Sequence, residues 1–253
     1  MPTGLRTVAA SRYVTPFREG GSLPALLEAD DYRLYVGKFR GAGQGPLSLV
    51  AEVIAGELAR ALGLPMPELV TVELDAAIGR GEPDPEIQEL LLASVGLNLG
   101  IEFLGGAETY SPSQDDPPSP DLAAEIVWFD ALVANVDRTP RNANLLVHDG
   151  KLNLIDHGAA LYHQHGGLKP AEQAGRPFPQ IAEHILLPVA GPIAAADERL
   201  RAKVTPDLLR EVVDLVPRDW FVADPPEDYV EYLTLRIAGA TQLVEEAERA
   251  RLG

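Results

Sequence analysis

A chain of 253 residues with 46% apolar and 23% charged residues is long enough for one large domain or two lobes around a sizeable core. It has no cysteine, which excludes disulfides and thiolate metal sites, and it shows neither an apolar run of membrane-spanning length nor a basic-then-apolar leader, so a cytoplasmic, membrane-free protein is expected. Its 21 basic and 38 acidic residues give a formal charge of −17, which repels a nucleic-acid backbone and anionic lipid alike.

Residues 8–17 and 32–39 read as two strands, separated by Arg18-Glu19-Gly20-Gly21-Ser22 and a short apolar stretch. Gly20, Gly21 and Ser22 would let backbone amides approach phosphates; an ordinary flexible turn fits the same residues. In the second strand Leu34, Val36 and Lys38 share a face by the two-residue period. A lysine that ends an inward apolar face points to a phosphate ligand rather than to a snorkelling surface group. In so acidic a chain an anionic nucleotide needs a site made locally positive, by magnesium, a lysine and backbone amides. Gly41, Gly43 and Gly45 lack the complete dinucleotide-binding pattern and read as a connector lining the cleft.

Residues 46–62 form a helix opened by Pro46 and closed by Gly63, with Val50, Ile54, Leu58 and Leu62 as its core stripe. Glu52 lies off that stripe among Ala55, Gly56 and Ala59, where small side chains admit a close neighbour, whereas Glu57 pairs along the helix with Arg60. Glu52 is therefore the candidate partner of Lys38, with a solvated glutamate as the alternative. Residues 69–74 read as a strand, 86–93 as a helical turn or two, and 97–104 as a strand running into Gly105-Gly106. Such a strand suits a hinge, in which backbone groups of Glu102, Phe103 and Leu104 bond an adenine edge. Residues 107–120, rich in Pro, Ser and Asp, read as an exposed loop.

Residues 121–135 read as an amphipathic helix with Ser119 as N-cap and Leu122, Ile126, Phe129 and Val133 facing the core. It delivers Asp137, followed five residues later by Asn142. Two apolar runs, 144–148 and 151–155, flank Asp149-Gly150, a strong two-residue hairpin signal, and lead to Asp156-His157-Gly158. Asp137 and Asn142 alone also fit ordinary turn residues. The hairpin and the second aspartate at this distance favour phosphoryl transfer, which asks for a carboxylate to accept the hydroxyl proton (Asp137) and oxygen ligands to hold magnesium against phosphates (Asn142 and Asp156). His163 and His165 read as solvated loop residues, and helices are expected over 179–187, 206–215 and 228–251.

Taken together, Tyr35-Val36-Gly37-Lys38-Phe39, the 51–65 helix with its Leu62-Gly63-Leu64-Pro65 end, Asn135-Val136-Asp137-Arg138 with Asn142, and Asp156-His157-Gly158 resemble the HipA-like kinases. That bacterial branch is related to the phosphatidylinositol 3-kinase-like and protein-kinase folds. The resemblance implies an ATP- and magnesium-dependent kinase with Asp137 as base, Asn142 and Asp156 as metal ligands, Lys38 on phosphate and Glu52 supporting it. Relatives commonly carry histidine where this chain has Thr139, and the longer HipA toxins carry an N-terminal subdomain not expected here.

The expected fold is α+β and two-lobed: an N-terminal nucleotide-binding lobe over residues 1–104, an antiparallel sheet with one principal helix, and a mainly helical catalytic lobe over 105–253. The expected partners are ATP and a protein or small-molecule hydroxyl acceptor. Rival readings are a nucleotide-binding pseudokinase serving as an interaction module, a small-molecule kinase like those acting on aminoglycosides or choline, and a nucleotidyl-transferring variant.

Overall fold

The structure is a computed structural model describing residues 4–17, 23–43, 45–113 and 115–253. Five strands, β1 (Thr7–Pro16), β2 (Ala25–Ala29), β3 (Leu34–Lys38), β4 (Leu69–Leu74) and β5 (Gly96–Glu102), close into a barrel in the order β1-β2-β3-β5-β4. The pairings are antiparallel except where β1 runs parallel to β4 and completes the closure. The expected antiparallel sheet is thus a closed barrel with one parallel seam. Gly20, Gly21 and Ser22 lie outside the described residues.

β2 falls in what reads in sequence as a mere apolar stretch. Ala25-Leu26-Leu27-Glu28-Ala29 contains no β-branched or aromatic residue, and pairing with β1 and β3 on its two sides holds it extended. The barrel interior is filled by Val8, Leu27, Tyr35, Phe39, Val70 and Val72. It is narrow enough that the cross-strand pair Gly37 and Gly100 carries no side chain: a Cβ on Gly100 would stand 2.6 Å from Val72 and 2.8 Å from Val70. Because Tyr35 and Phe39 point inward, the face bearing Leu34, Val36 and Lys38 is the outer one, and Leu34 is exposed there. The lysine therefore ends a face turned toward the next helix, not the inward face expected.

That helix is α1 (Gly45–Leu62), whose apolar residues join the same core cluster as the C-terminal helices. Gly63, with φ +87°, ends it as the sequence indicates. Gly41 packs against a second, nine-residue helix, α2 (Pro85–Ala93), where an added Cβ would meet Ser94 Oγ at 2.8 Å, so it serves packing.

In the C-terminal part, the short β6 (Glu108–Thr109) pairs with β7 (Leu145–His148), which pairs with β8 (Lys151–Leu154). The β7–β8 turn has Asp149 at φ +50° and Gly150 at φ +70°, the primed geometry that an Asp-Gly hairpin demands. α3 (Pro120–Val133) starts with Ser119 Oγ accepting the Leu122 N–H. Its residues from Ala123 to Val133 are buried except Glu125, so it is a core helix rather than the amphipathic one expected. Around it stand α4 (Pro170–Gln173), α5 (Ile193–Leu200), α6 (Pro206–Val213), α7 (Pro226–Ala238) and α8 (Ala240–Leu252). The expected helix over 179–187 resolves into 3₁₀ turns at Pro179–Glu183 and Leu187–Val189, and the one over 228–251 breaks at Gly239.

Candidate active site

Four segments converge. The outer face of β3 presents Lys38, α1 presents Glu52, the segment after α3 carries Asp137 and Asn142, and the segment after β8 carries Asp156. The Lys38 ammonium, nearly buried, is bonded to Glu52 Oε1 and lies 2.7 Å from Asp156 Oδ1. Glu52 is fully buried, and the same Oε1 accepts the Gly158 N–H at 3.0 Å. Its other oxygen is buried without a hydrogen-bond partner among the described residues. The solvated alternative for Glu52 is therefore excluded.

Electrostatics follow from this packing. Burial alone would lower the Lys38 pKa, yet the Glu52 and Asp156 carboxylates raise it above the usual lysine value and keep it charged. Burial pushes Glu52 up despite Lys38. For Asp156 burial acts upward, but the ammonium prevails and holds the carboxyl below its ordinary range. Asp156 itself has φ +54°, a left-handed conformation uncommon outside glycine, though aspartate and asparagine adopt it more readily than other residues. Such a conformation persists where surrounding structure over-determines it.

Asp137 is half-buried, and its Oδ2 accepts N–H bonds from Asn142 at 2.8 Å and Asn144 at 3.3 Å. With its nitrogen on Asp137, Asn142 keeps its amide oxygen unengaged among the described residues. Asn144, read in sequence as the first strand residue, sits just before β7 with φ +48°. Its side chain donates to Asp137 O at 2.7 Å and its own carbonyl accepts from Ile155 N at 3.1 Å, so it clips the Asp137 and Asp156 segments together. Thr139 closes the turn, its Oγ1 accepting from Asn142 N at 3.3 Å.

The segment expected to act as a hinge offers fewer free main-chain donors than its sequence suggests. Glu102 N–H donates to Glu68 O and Phe103 N–H to Leu34 O, so both are consumed at the barrel edge. Leu104 N–H, with no partner among the described residues, is the main-chain donor of the three left for a ligand, while Leu104 O accepts from Ala107 N.

A family model described as HipA-like kinase matches residues 11–250. The chain belongs to the HipA-like kinase family. Among solved structures, the Helicobacter pylori proinflammatory kinase CtkA is similar at 12% identity and a TM-score of 0.53, covering 90% of this chain and 94% of its own. The Golgi casein kinase is similar at 12% identity and a TM-score of 0.52, covering 96% of this chain and 72% of its own. The same kinase with Mn/ADP bound is similar at 13% identity and a TM-score of 0.50, covering 96% of this chain and 73% of its own. At these identities the likeness shows a shared kinase fold. No match is found among curated proteins.

This HipA-like kinase also contains buried polar groups supporting the candidate site that sequence reading missed. Asp130 is a fully buried carboxylate within Trp128-Phe129-Asp130-Ala131-Leu132-Val133, and an acid in so apolar a run was the available signal. Its oxygens take Asn135 Nδ2 at 3.0 Å, Arg138 Nε at 2.5 Å and His184 Nε2 at 2.9 Å. Asn135 in turn accepts the Asp137 N–H at 3.2 Å. Burial notwithstanding, Arg138 and His184 hold the Asp130 carboxyl far below its usual range. Arg236 of α7, also buried, donates to the carbonyls of Ala131 at 2.5 Å, Leu132 at 2.7 Å and Ala174 at 3.2 Å, capping the end of α3 that leads to Asp137.

Proposed function

We propose that this HipA-like kinase transfers the γ-phosphoryl group of ATP, with magnesium, to a hydroxyl of a protein serine or threonine or of a small molecule. Residues 1–104 form the nucleotide-binding lobe and 105–253 the catalytic lobe. The observation that carries the reading is the Lys38 ammonium held between Glu52 of α1 and Asp156 behind β8. This ion-pair network would hold the lysine within reach of phosphate oxygens.

In this reading Asp137 accepts the proton of the incoming hydroxyl, Lys38 binds phosphate oxygen, and Glu52 orients the lysine. The donor set fits a hard divalent cation. It comprises an asparagine amide oxygen with no partner among the described residues and the Asp156 carboxylate, while two carboxylates, Glu52 and Asp156, share the single Lys38 ammonium and leave the cleft short of positive charge. Magnesium held by Asn142 and Asp156 would neutralise charge building on the transferred phosphoryl group. The Mn/ADP-bound Golgi casein kinase, similar in fold, supports a nucleotide–metal site of this kind. Leu104 N–H supplies the adenine-edge contact.

Thermal melting with ATP, with magnesium, and with both tests the reading, run on the parent, Lys38→Met and Asp156→Asn. A ligand binding only the folded state raises the melting temperature by mass action. A rise that requires both ligands and disappears in Asp156→Asn is expected. No rise under any condition in the parent overturns the assignment and the nucleotide-binding pseudokinase reading alike, and favours a fold kept for binding something else.

A further inference from the structure

The Arg138 guanidinium is completely enclosed, 1% exposed, and its donors fan out onto four groups. Nε bonds Asp130 Oδ2 at 2.5 Å; one terminal nitrogen bonds the Asn144 carbonyl and lies 3.4 Å from that of Ile155; the other bonds His157 Nε2 at 2.9 Å. Arginine only donates, so His157 Nε2 is an acceptor and its proton sits on Nδ1. His184 Nδ1 accepts from Leu186 N at 3.1 Å, which places its proton on Nε2, toward Asp130. The arginine main chain is also pinned, its carbonyl accepting from Ile185 N at 3.0 Å.

The placement of these bonds matters more than their number. Ile155 and His157 are the two neighbours of Asp156, and Arg138 touches both. Asn144, its third contact, holds Asp137 by two bonds, and Arg138 directly follows Asp137 in the chain. We infer that Arg138 is a positioning residue that ties the Asp137 segment to the Asp156 segment, setting the separation between proton acceptor and metal-binding carboxylate and holding Asp156 in its left-handed conformation. The inference rests on the proposed roles of those two aspartates but adds a residue and an arrangement those roles do not require. A lysine could not substitute, because its compact ammonium lacks the planar fork that reaches acceptors in three directions at once.

The test uses Arg138→Lys, Arg138→Met and His157→Phe, with Arg201→Met, at a partly exposed ion pair with Asp197 of α5, as control. Amide hydrogen exchange is followed across 137–146 and 152–160, and phosphoryl transfer from ATP is titrated with magnesium. In the Arg138 variants both segments are expected to exchange faster together. Half-saturating magnesium should rise by about 10–100-fold, as for loss of an outer-shell partner, and turnover should fall by about 10²-fold from misplacement. His157→Phe removes only the acceptor beside Asp156, so it should raise the magnesium requirement and loosen 152–160 while leaving turnover at saturating magnesium within about threefold, a split that general destabilisation would not produce. Folded Arg138 variants in which either segment keeps parental exchange would overturn the inference. Should they not fold, an unchanged magnesium requirement and unchanged exchange in His157→Phe would do the same. A parent without magnesium-dependent transfer defeats the functional reading instead, and the exchange data then decide the tie between segments by themselves.

Discussion

Asn142 donates its side-chain N–H to Asp137 Oδ2 at 2.8 Å, and that single bond orients the amide so that its oxygen faces away from the carboxylate. In the proposed reading, one residue would thus steady the proton acceptor with its nitrogen and offer a cation its oxygen. Asn142→Ala should lose both and lower turnover by about 10²-fold while raising half-saturating magnesium, in line with losses on removing a metal's supporting groups. Asn142→Asp separates the two functions. It keeps an oxygen for the metal but sets a second carboxylate against Asp137, and two carboxylates at that range share a proton. The acid limb of the pH–rate profile should then move to higher pH, and an unshifted limb would show that Asp137 is not the group that must be ionised.

Asp137 and Asp156 should fail differently. Asp137→Asn leaves Lys38, Glu52 and Asp156 in place, so nucleotide and metal binding should persist while turnover drops by about 10²–10⁴-fold, the range assigned to a general base. Titration of ATP against melting temperature, alongside a transfer assay, reads the two effects separately. Parental turnover in folded Asp137→Asn would remove the residue from the chemistry.

Many of the residues that meet at the candidate site stand out in the sequence because they are set by local spacing. Asp137, Asn142 and Asp156 are fixed by a loop and a hairpin whose Asp149-Gly150 turn announces itself, and Lys38 and Glu52 stand out as polar groups on otherwise apolar or small-residue surfaces. What was not legible depends on contacts distant in the chain. β2 has helix-forming residues and is a strand only because β1 and β3 flank it. Lys38 alternates as read, but which face is inside is settled by barrel closure, which no local period encodes. Glu102 and Phe103 looked available for a nucleotide until the edge partners Glu68 and Leu34 took their N–H groups. Asp130, His184 and Arg236 are separated from the residues they support by up to about a hundred positions.

Barrel closure yields a packing prediction. Gly37 and Gly100 are directly paired, but their surroundings differ. A Cβ on Gly37 meets the flexible end of Leu27 at 2.5 Å, whereas one on Gly100 meets both β-branched Val72 and Val70, at 2.6 and 2.8 Å. Valine has little rotamer freedom with which to yield. Gly100→Ala should therefore cost about 1–3 kcal/mol as an overpacked core, with Gly37→Ala the milder of the two. Chemical denaturation of both variants checks the order, and equal losses would mean that the backbone, not side-chain crowding, governs the pair.

His184 gives a pH dependence with a definite sign. Burial lowers its pKa in the folded protein, with Asp130 opposing but not cancelling the effect. In the unfolded chain it takes up a proton as pH falls through its ordinary value of 6.5. The folded state binds that proton only at lower pH, so unfolding is favoured progressively as pH drops below that value. His184→Gln keeps a donor for Asp130 and removes the titration. The fall in melting temperature between pH 7.5 and 5.5 should be shallower in the variant than in the parent, and parallel curves would assign the acid sensitivity to other groups.

Arg236 tests how far the helical part prepares the site. It is a buried cation that donates to three carbonyls, two of them from the last turn of α3, where the helix dipole is negative. Arg236→Met preserves much of the apolar stem but strands those carbonyls without donors, each orphaned group costing about 1–3 kcal/mol. A total near 3 kcal/mol would lower the melting temperature by about 6–12 °C in a chain of this size. Because the capped turn leads directly through Asn135 to Asp137, the loss should not be purely thermal. At temperatures where the variant is fully folded, its turnover should fall more than its nucleotide affinity, since Lys38 and Glu52 are anchored elsewhere on β3 and α1. A variant that melts early yet turns over like the parent when folded would limit Arg236 to stability, and would place control of Asp137 with Asp130, Asn135 and Asn144 alone.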